Sequence, residues 1–196
     1  GVILGGRVGY VLFYQFGELL QNPAYLFKVW EGGMSFHGGL IGVMLGMLYF
    51  ARKYKKTPFQ VLDFVVPCVP TGLLFGRIGN YINAELWGRV SDGGYNWLTY
   101  FPQAASVDMQ QLQANPALQD LMTEVNGQYL LPRHPSQLYE ALAEGLLLFL
   151  FLWWYSSKPR PRMAVTGVFM LGYGFSRFII EFFRQPDIDQ GFILLG

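Results

Sequence analysis

Arg77, Asn80, Asn83 and Glu85 crowd into the run Gly76-Arg77-Ile78-Gly79-Asn80-Tyr81-Ile82-Asn83-Ala84-Glu85-Leu86-Trp87-Gly88, which closes a long apolar stretch. A guanidinium, two carboxamides and a carboxylate are costly at membrane depth. They persist there where they pair with one another, line a wet cavity or meet a charged ligand. Arg177, Glu181 and Arg184 recur at i, i+4 and i+7 near the end of another apolar stretch, a spacing that predicts one shared helix face. The plain reading of that set is a salt bridge, with Arg184 snorkelling toward the interface. Two cations flanking one anion are not self-neutralising, however. With Arg77 at matching depth they predict a basic pocket suited to a lipid phosphate, which guanidinium groups grip through paired hydrogen bonds.

His37, in Ser35-Phe36-His37-Gly38-Gly39-Leu40-Ile41-Gly42, precedes a glycine-lined helix face that leaves room for a ligand beside the imidazole. It is suited to a base working near neutral pH, or to satisfying a backbone carbonyl. His134-Pro135-Ser136-Gln137-Leu138-Tyr139-Glu140 reads as a helix entrance, with a capping side chain and proline in the first turn. Glu140 and Glu144 are placed to line a cavity or to pair with arginines from another span. Two histidines far apart in the chain, without clustered carboxylates, argue against zinc or magnesium. The chain has neither a nucleotide-binding phosphate loop nor a serine elbow.

The elements that must position these residues are apolar helices. The chain of 196 residues is 52% hydrophobic and only 14% charged, and several apolar runs approach the ~20 residues that cross a bilayer. These properties predict an all-α polytopic membrane protein with five transmembrane helices over 1–20, 34–50, 59–83, 138–155 and 163–183. Barrel-type alternation is absent. Glycines at every fourth position, Gly1, Gly5 and Gly9, Gly38, Gly42 and Gly46, and Gly72 and Gly76, suit close helix packing. Pro67 and Pro70 predict a kink in the third span. Arg52, Lys53, Lys55 and Lys56, then Lys158, Arg160 and Arg162, form two basic segments between apolar runs, and the positive-inside rule puts both in the cytoplasm. Parity then carries His37, Arg77 to Glu85, His134 to Glu140 and Arg177 to Arg184 to the extracytoplasmic side.

Three regions follow: 1–88 with three helices and the polar signature, 89–133 as a small extracytoplasmic head, and 134–196 with two helices and the start of a further span at 191–196. The head carries a turn signal at Ser91-Asp92-Gly93-Gly94 and an expected amphipathic helix over 106–125, with its glutamines on a solvated face. Trp87, Trp97, Trp153 and Trp154 suit interfacial belts. Cys68, the single cysteine, excludes an intramolecular disulfide and is expected to pack in the interior.

The run 76–88 resembles the signature of the prolipoprotein diacylglyceryl transferases, Gly-Arg-x-Gly or Ala-Asn-Phe-x-Asn-x-Glu-x-x-Gly, with Tyr81 where Phe is usual. Gly5-Gly6-Arg7-Val8-Gly9-Tyr10, the His37 block, the His134 block, and Ser176-Arg177-Phe178 through Asp187 resemble further family segments in the family's order. The resemblance implies seven spans in a full-length member. It also implies a bacterial cytoplasmic (inner) membrane enzyme that moves the diacylglyceryl group of phosphatidylglycerol onto the lipobox cysteine of a preprolipoprotein signal peptide, releasing glycerol phosphate. Carried over, the essential positions fall on His37, Arg77, Asn80, Gly88 and Arg177. Asn83, Glu85, Glu181 and Arg184 support them, and Tyr10, His134 and Glu140 are expected at the substrate. His37 and Glu181 remain rival bases. The expected partners are phosphatidylglycerol, the signal peptide and membrane lipids, with no cofactor and no nucleic acid. An anionic-lipid flippase or a noncatalytic membrane scaffold are the other readings the residues allow. The flippase lacks an internal repeat, and the scaffold leaves Arg77, Arg177 and His37 without a purpose.

Overall fold

The computed structural model describes residues 1–91 and 97–185, and the chain divides into two units, Gly1–Phe64 and Val65–Gly196. The expected turn at 92–94 and the expected start of a span at 191–196 lie outside the described residues.

In the first unit, α1 (Val2–Tyr14) packs along α3 (Phe36–Lys53), with the short α2 (Phe16–Gln21) and two 3-10 turns between them. Glycine makes that packing possible. A methyl group on Gly5 would lie 2.8 Å from Gly42 Cα, and one on Gly9 would lie 2.7 Å from Gly38 Cα, so the two backbones touch where the glycines face each other. Gly46, Gly72 and Gly76 face open space instead and hold no such contact. The expected first span does not run unbroken to residue 20, because α1 stops at Gln15 (φ −134°, ψ 36°) and the chain restarts as α2. Ser35 caps α3, its hydroxyl accepting from the Gly38 N–H at 3.3 Å.

In the second unit, α5 (Val69–Ile82) packs against a hairpin of two long helices. The first of these begins as α7 (Ser136–Glu140), widens into a π-helical stretch over Ala141–Leu147 and continues as α8 (Leu148–Ser156); the second is α9 (Ala164–Glu181). Gly145 in the wide stretch lets α5 approach, since a methyl group there would sit 2.8 Å from Leu74 Cα. Leu148, Leu152 and Val165 form the buried contact of the hairpin, beneath Tyr155, Phe169 and Tyr173.

Two helical stretches among the described residues, Pro58–Ile82 and Ser136–Ser156, are long and apolar enough to cross a membrane. The first contains α4 (Pro58–Val65), and a 3-10 turn over Val66–Cys68 is the local consequence of Pro67 and Pro70. α3 and α9 have 18 residues each but carry charge near their ends. Phe75, Leu171, Phe175 and Trp153 point outward from their helices. That is the outside-apolar arrangement of a chain whose solvent is lipid, where close packing and polar contacts hold helices together. Cys68 is exposed on this surface rather than packed inside, a correction to the sequence reading.

The head is not wholly helical. α6 (Ala105–Ala114) is shorter than expected, a 3-10 turn follows at Pro116–Leu121, and the chain then forms a hairpin of β1 (Thr123–Val125) and β2 (Gln128–Leu130) in the register Thr123↔Leu130. Asn126 (φ 52°) and Gly127 (φ 78°) make its two-residue turn, the backbone that this pair favours. Trp87, partly buried, stacks on Phe101 at 6.2 Å and packs against the buried cluster of Ala84, Phe101 and Ala104.

Candidate functional site

Within the second unit, Arg77 projects from α5, Glu140 and Glu144 from the π-widened helix, and Arg177 and Glu181 from α9. One carboxylate joins the two guanidiniums. Glu140 Oε2 lies 3.0 Å from Arg77 Nε, and Glu140 Oε1 accepts from Arg177 Nη1 at 2.7 Å. Glu144 Oε2 is 3.7 Å from Arg77 Nη2, and Glu181 Oε2 is 3.2 Å from Arg177 Nη2. The arginines from separate helices therefore meet. The expectation of a net basic pocket is corrected by the count, which sets three carboxylates against two guanidiniums.

Burial differs sharply across the cluster. The side chains of Glu140 and Glu144 are 1% and 0% exposed, whereas those of Arg77 and Arg177 are 17% and 28% exposed. Glu140 and Glu144 form the floor, Arg77 and Arg177 the open side, and Glu181, 47% exposed, lies outermost. Glu140 Oε2 faces Arg77 off the hydrogen-bond direction, and both Glu144 oxygens and Gln137 Oε1 are also buried without a hydrogen-bond donor among the described residues. Acceptors left that way favour cations nearby. The far end of the hairpin carries the basic segment, where Arg160 donates to the Tyr155 carbonyl at 2.9 Å and covers its ring.

The signature's tail forms a second layer. Ala84 (φ 54°) and Leu86 (φ 56°) adopt the left-handed conformation, which costs a non-glycine residue about 1–3 kcal/mol and persists where the surroundings over-determine it. Those surroundings are explicit. Gln137 Nε2 donates to the Glu85 carbonyl at 2.6 Å, Ser136 Oγ to the Leu86 carbonyl at 3.2 Å, and Arg133 Nη1 to the Gly88 carbonyl at 3.0 Å. Gly88 N–H donates to the His134 carbonyl at 2.9 Å. A methyl group on Gly88 would lie 2.7 Å from the Phe183 carbonyl oxygen, so Gly88 serves as a backbone junction.

Other expected residues fall into place around this frame. Asn80 is half-buried, its carbonyl accepting from the Glu85 N–H at 2.8 Å, while the side chains of Asn83 and Glu85 are exposed. His134 Nδ1 lies 3.2 Å from the Tyr139 hydroxyl, and its ring meets Phe183 edge-on at 5.5 Å. Pro135 precedes the helix instead of occupying its first turn. No side chain caps the helix, because the cap position is Pro135 itself, and Ser136 Oγ, inside the helix, is turned to the Leu86 carbonyl. α9 ends at Glu181, so the predicted face does not extend to Arg184, which enters through its backbone by accepting from Arg89 Nε at 2.9 Å. His37 and Tyr10 belong to the first unit. His37 is exposed at the start of α3 beside Phe36, and the Tyr10 ring packs against Gly33.

Sequence reasoning passed over three buried ions. Arg7, 2% exposed, donates to the carbonyls of Leu26, Tyr25 and Gly32, tying the loop before α3 to α1. An arginine within an apolar run is itself the signal that could have found it. Arg133 and Asp108 are both fully buried in the head, with Arg133 Nε and Nη2 donating to Asp108 Oδ1 at 2.9 and 2.5 Å. Burial pulls the Arg133 guanidinium below its ordinary pKa, and the charge and hydrogen bonds of Asp108 oppose that shift. Charges in a polar segment are commonplace, so nothing in the sequence singled this pair out.

Apolar helices closed at one end by a partly buried ion cluster are the arrangement of a helical membrane protein with a polar site. The family model for prolipoprotein diacylglyceryl transferase matches residues 1–195, and the chain belongs to that family. It is 86% identical over 196 residues to the phosphatidylglycerol–prolipoprotein diacylglyceryl transferase of Psychrobacter arcticus, covering all of this chain and 67% of that protein. Against the proteins of the same name from Acinetobacter baumannii and Acinetobacter baylyi it is 58% identical over 197 residues, covering all of this chain and 64% of each. The chain thus spans about two-thirds of the length of these relatives.

Proposed function

We propose that this chain carries the catalytic centre of an enzyme that transfers the diacylglyceryl group of phosphatidylglycerol to the lipobox cysteine thiol of a preprolipoprotein. The observation that carries the reading is the meeting of Arg77 and Arg177 at the two oxygens of Glu140. It has the family match behind it. In this reading the chain crosses the bacterial cytoplasmic membrane five times, and the cluster lies toward the extracytoplasmic side.

The lipobox sulfur attacks the glyceryl carbon, the carbon–oxygen bond to phosphate breaks, and glycerol phosphate departs with the electron pair. A free thiol with a pKa of ~8.5 is mostly protonated at neutral pH, so a base must take its proton. His37 or Glu181 fills that role. Arg77 and Arg177 hold the phosphate, and their charge stabilises it as it leaves. Each guanidinium has five N–H donors, enough to keep its carboxylate and still bind phosphate oxygens. Glu140 pairs with both cations at once and offsets their mutual repulsion. Asn80, Asn83 and Glu85 orient the headgroup or the incoming peptide.

The test uses the purified full-length protein, labelled phosphatidylglycerol and a lipobox peptide. Arg77→Gln and Arg177→Gln are each expected to abolish peptide lipidation while the protein stays folded; near-normal turnover in either removes the phosphate role. His37→Gln at full rate at pH 7 assigns the base to Glu181.

A further inference from the structure

We infer that the buried Asp108–Arg133 pair is a positioning device, through which the head holds the signature's tail in its strained conformation for the reaction proposed above. Arg133 distributes its guanidinium between two elements. Nε and Nη2 go to Asp108 and Nη2 also to Gln111 Oε1 at 2.9 Å, both on α6, while Nη1 goes to the Gly88 carbonyl. The free oxygen of Asp108 is also engaged, as Oδ2 accepts from the Leu131 N–H at 3.0 Å. The backbone at Arg133 is paired on one side with Thr99, at 2.9 and 3.0 Å, and on the other with Val90 in a second antiparallel bridge.

Arg133, Ser136 and Gln137 thus take the carbonyls of Gly88, Leu86 and Glu85 in turn, along the segment where Ala84 and Leu86 have positive φ. A strained loop needs donors that do not move. Of these three, only Arg133 is anchored by side chains of another element. Because the guanidinium is planar and forked, it can serve α6 and Gly88 at once; a lysine ammonium in its place could pair with Asp108 but could not reproduce that fork. The head therefore sets the geometry of Asn83 and Glu85 without touching the reacting atoms.

Full-length wild-type enzyme, Arg133→Lys, Gln111→Leu and each of these combined with Leu86→Gly are compared for kcat, KM for phosphatidylglycerol and melting temperature in detergent. Misplacing a positioned segment is expected to lower kcat on the order of 10–100-fold in Arg133→Lys and several-fold in Gln111→Leu, with KM changed far less. Glycine adopts the left-handed conformation without steric cost, and Leu86 is 40% exposed, so Leu86→Gly relieves strain with little loss of packing. It is expected to restore most of the lost kcat in both backgrounds, which a purely stabilising pair would not predict. Wild-type kcat in both single variants, or a loss that Leu86→Gly does not rescue, overturns the inference. If Arg133→Lys fails to fold, Gln111→Leu and its rescue decide alone. An inactive wild type would instead sink the transferase reading.

Discussion

Glu140 is the residue on which the cluster turns, because it is buried and both cations depend on it. Glu140→Gln would leave two guanidiniums facing each other over a neutral amide, and breaking a buried ion pair from one side costs about 3–5 kcal/mol. The variant is expected to melt markedly lower in detergent and to lose peptide lipidation. Glu144→Gln touches only the longer 3.7 Å contact and is expected to melt closer to wild type. Equal melting temperatures for Glu140→Gln and wild type would show that the bridge contributes nothing. Arg77, Arg177 and Glu140 were legible in the sequence because charge is conspicuous among apolar residues. Their pairing is one of two arrangements the sequence allows, since spacing along a chain says which face a residue shares but not which helix lies opposite. Arg133 and Asp108 were illegible for the converse reason: their segment is polar throughout, and only the fold shows them to be buried.

At the scale of elements, the glycine repeats were readable but their partners were not. A four-residue glycine period states that a helix has a smooth stripe, and the structure shows that Gly5 and Gly9 meet Gly38 and Gly42 while Gly46 meets nothing. Gly42→Leu is therefore expected to push α3 off α1, with an overpacking cost of about 1–3 kcal/mol read as a lower melting temperature. Gly46→Leu is expected to melt near wild type. A reversed ranking would remove the close-packed stripe. The five expected spans each contain a helix, but α1 is broken at Gln15 where no proline or glycine cluster marked an end. The hairpin of the head replaces the end of a helix expected to run to Val125, and Asn126-Gly127 just beyond that end forms its turn. The π-helical stretch at Ala141–Leu147 had no sequence mark at all; it lies where Glu144 and Gly145 must both face α5.

For the molecule as a whole, charge asymmetry supplies an orientation that side-chain contacts alone do not. In the second unit the arginine cluster lies at one end of the Ser136–Ser156 helix and Lys158 to Arg162 follow the other end. That helix has 21 residues and is about 31 Å long at 1.5 Å per residue, which matches the apolar thickness of a bilayer. If positive charge stays in the cytoplasm, this basic segment and the one at Arg52 to Lys56 are both inside, and the head carrying Asp108 and Arg133 is outside. Cys68 is exposed on its helix, so the labelling experiment begins from a cysteine-free full-length protein, into which Lys55→Cys, Lys158→Cys or Gln119→Cys is introduced. In intact spheroplasts a membrane-impermeant maleimide is expected to label the Gln119→Cys protein alone, and permeabilisation is expected to expose the other two. Labelling of Lys158→Cys without permeabilisation would invert the second unit. The ion cluster would then face the cytoplasm, against the extracytoplasmic placement proposed for it.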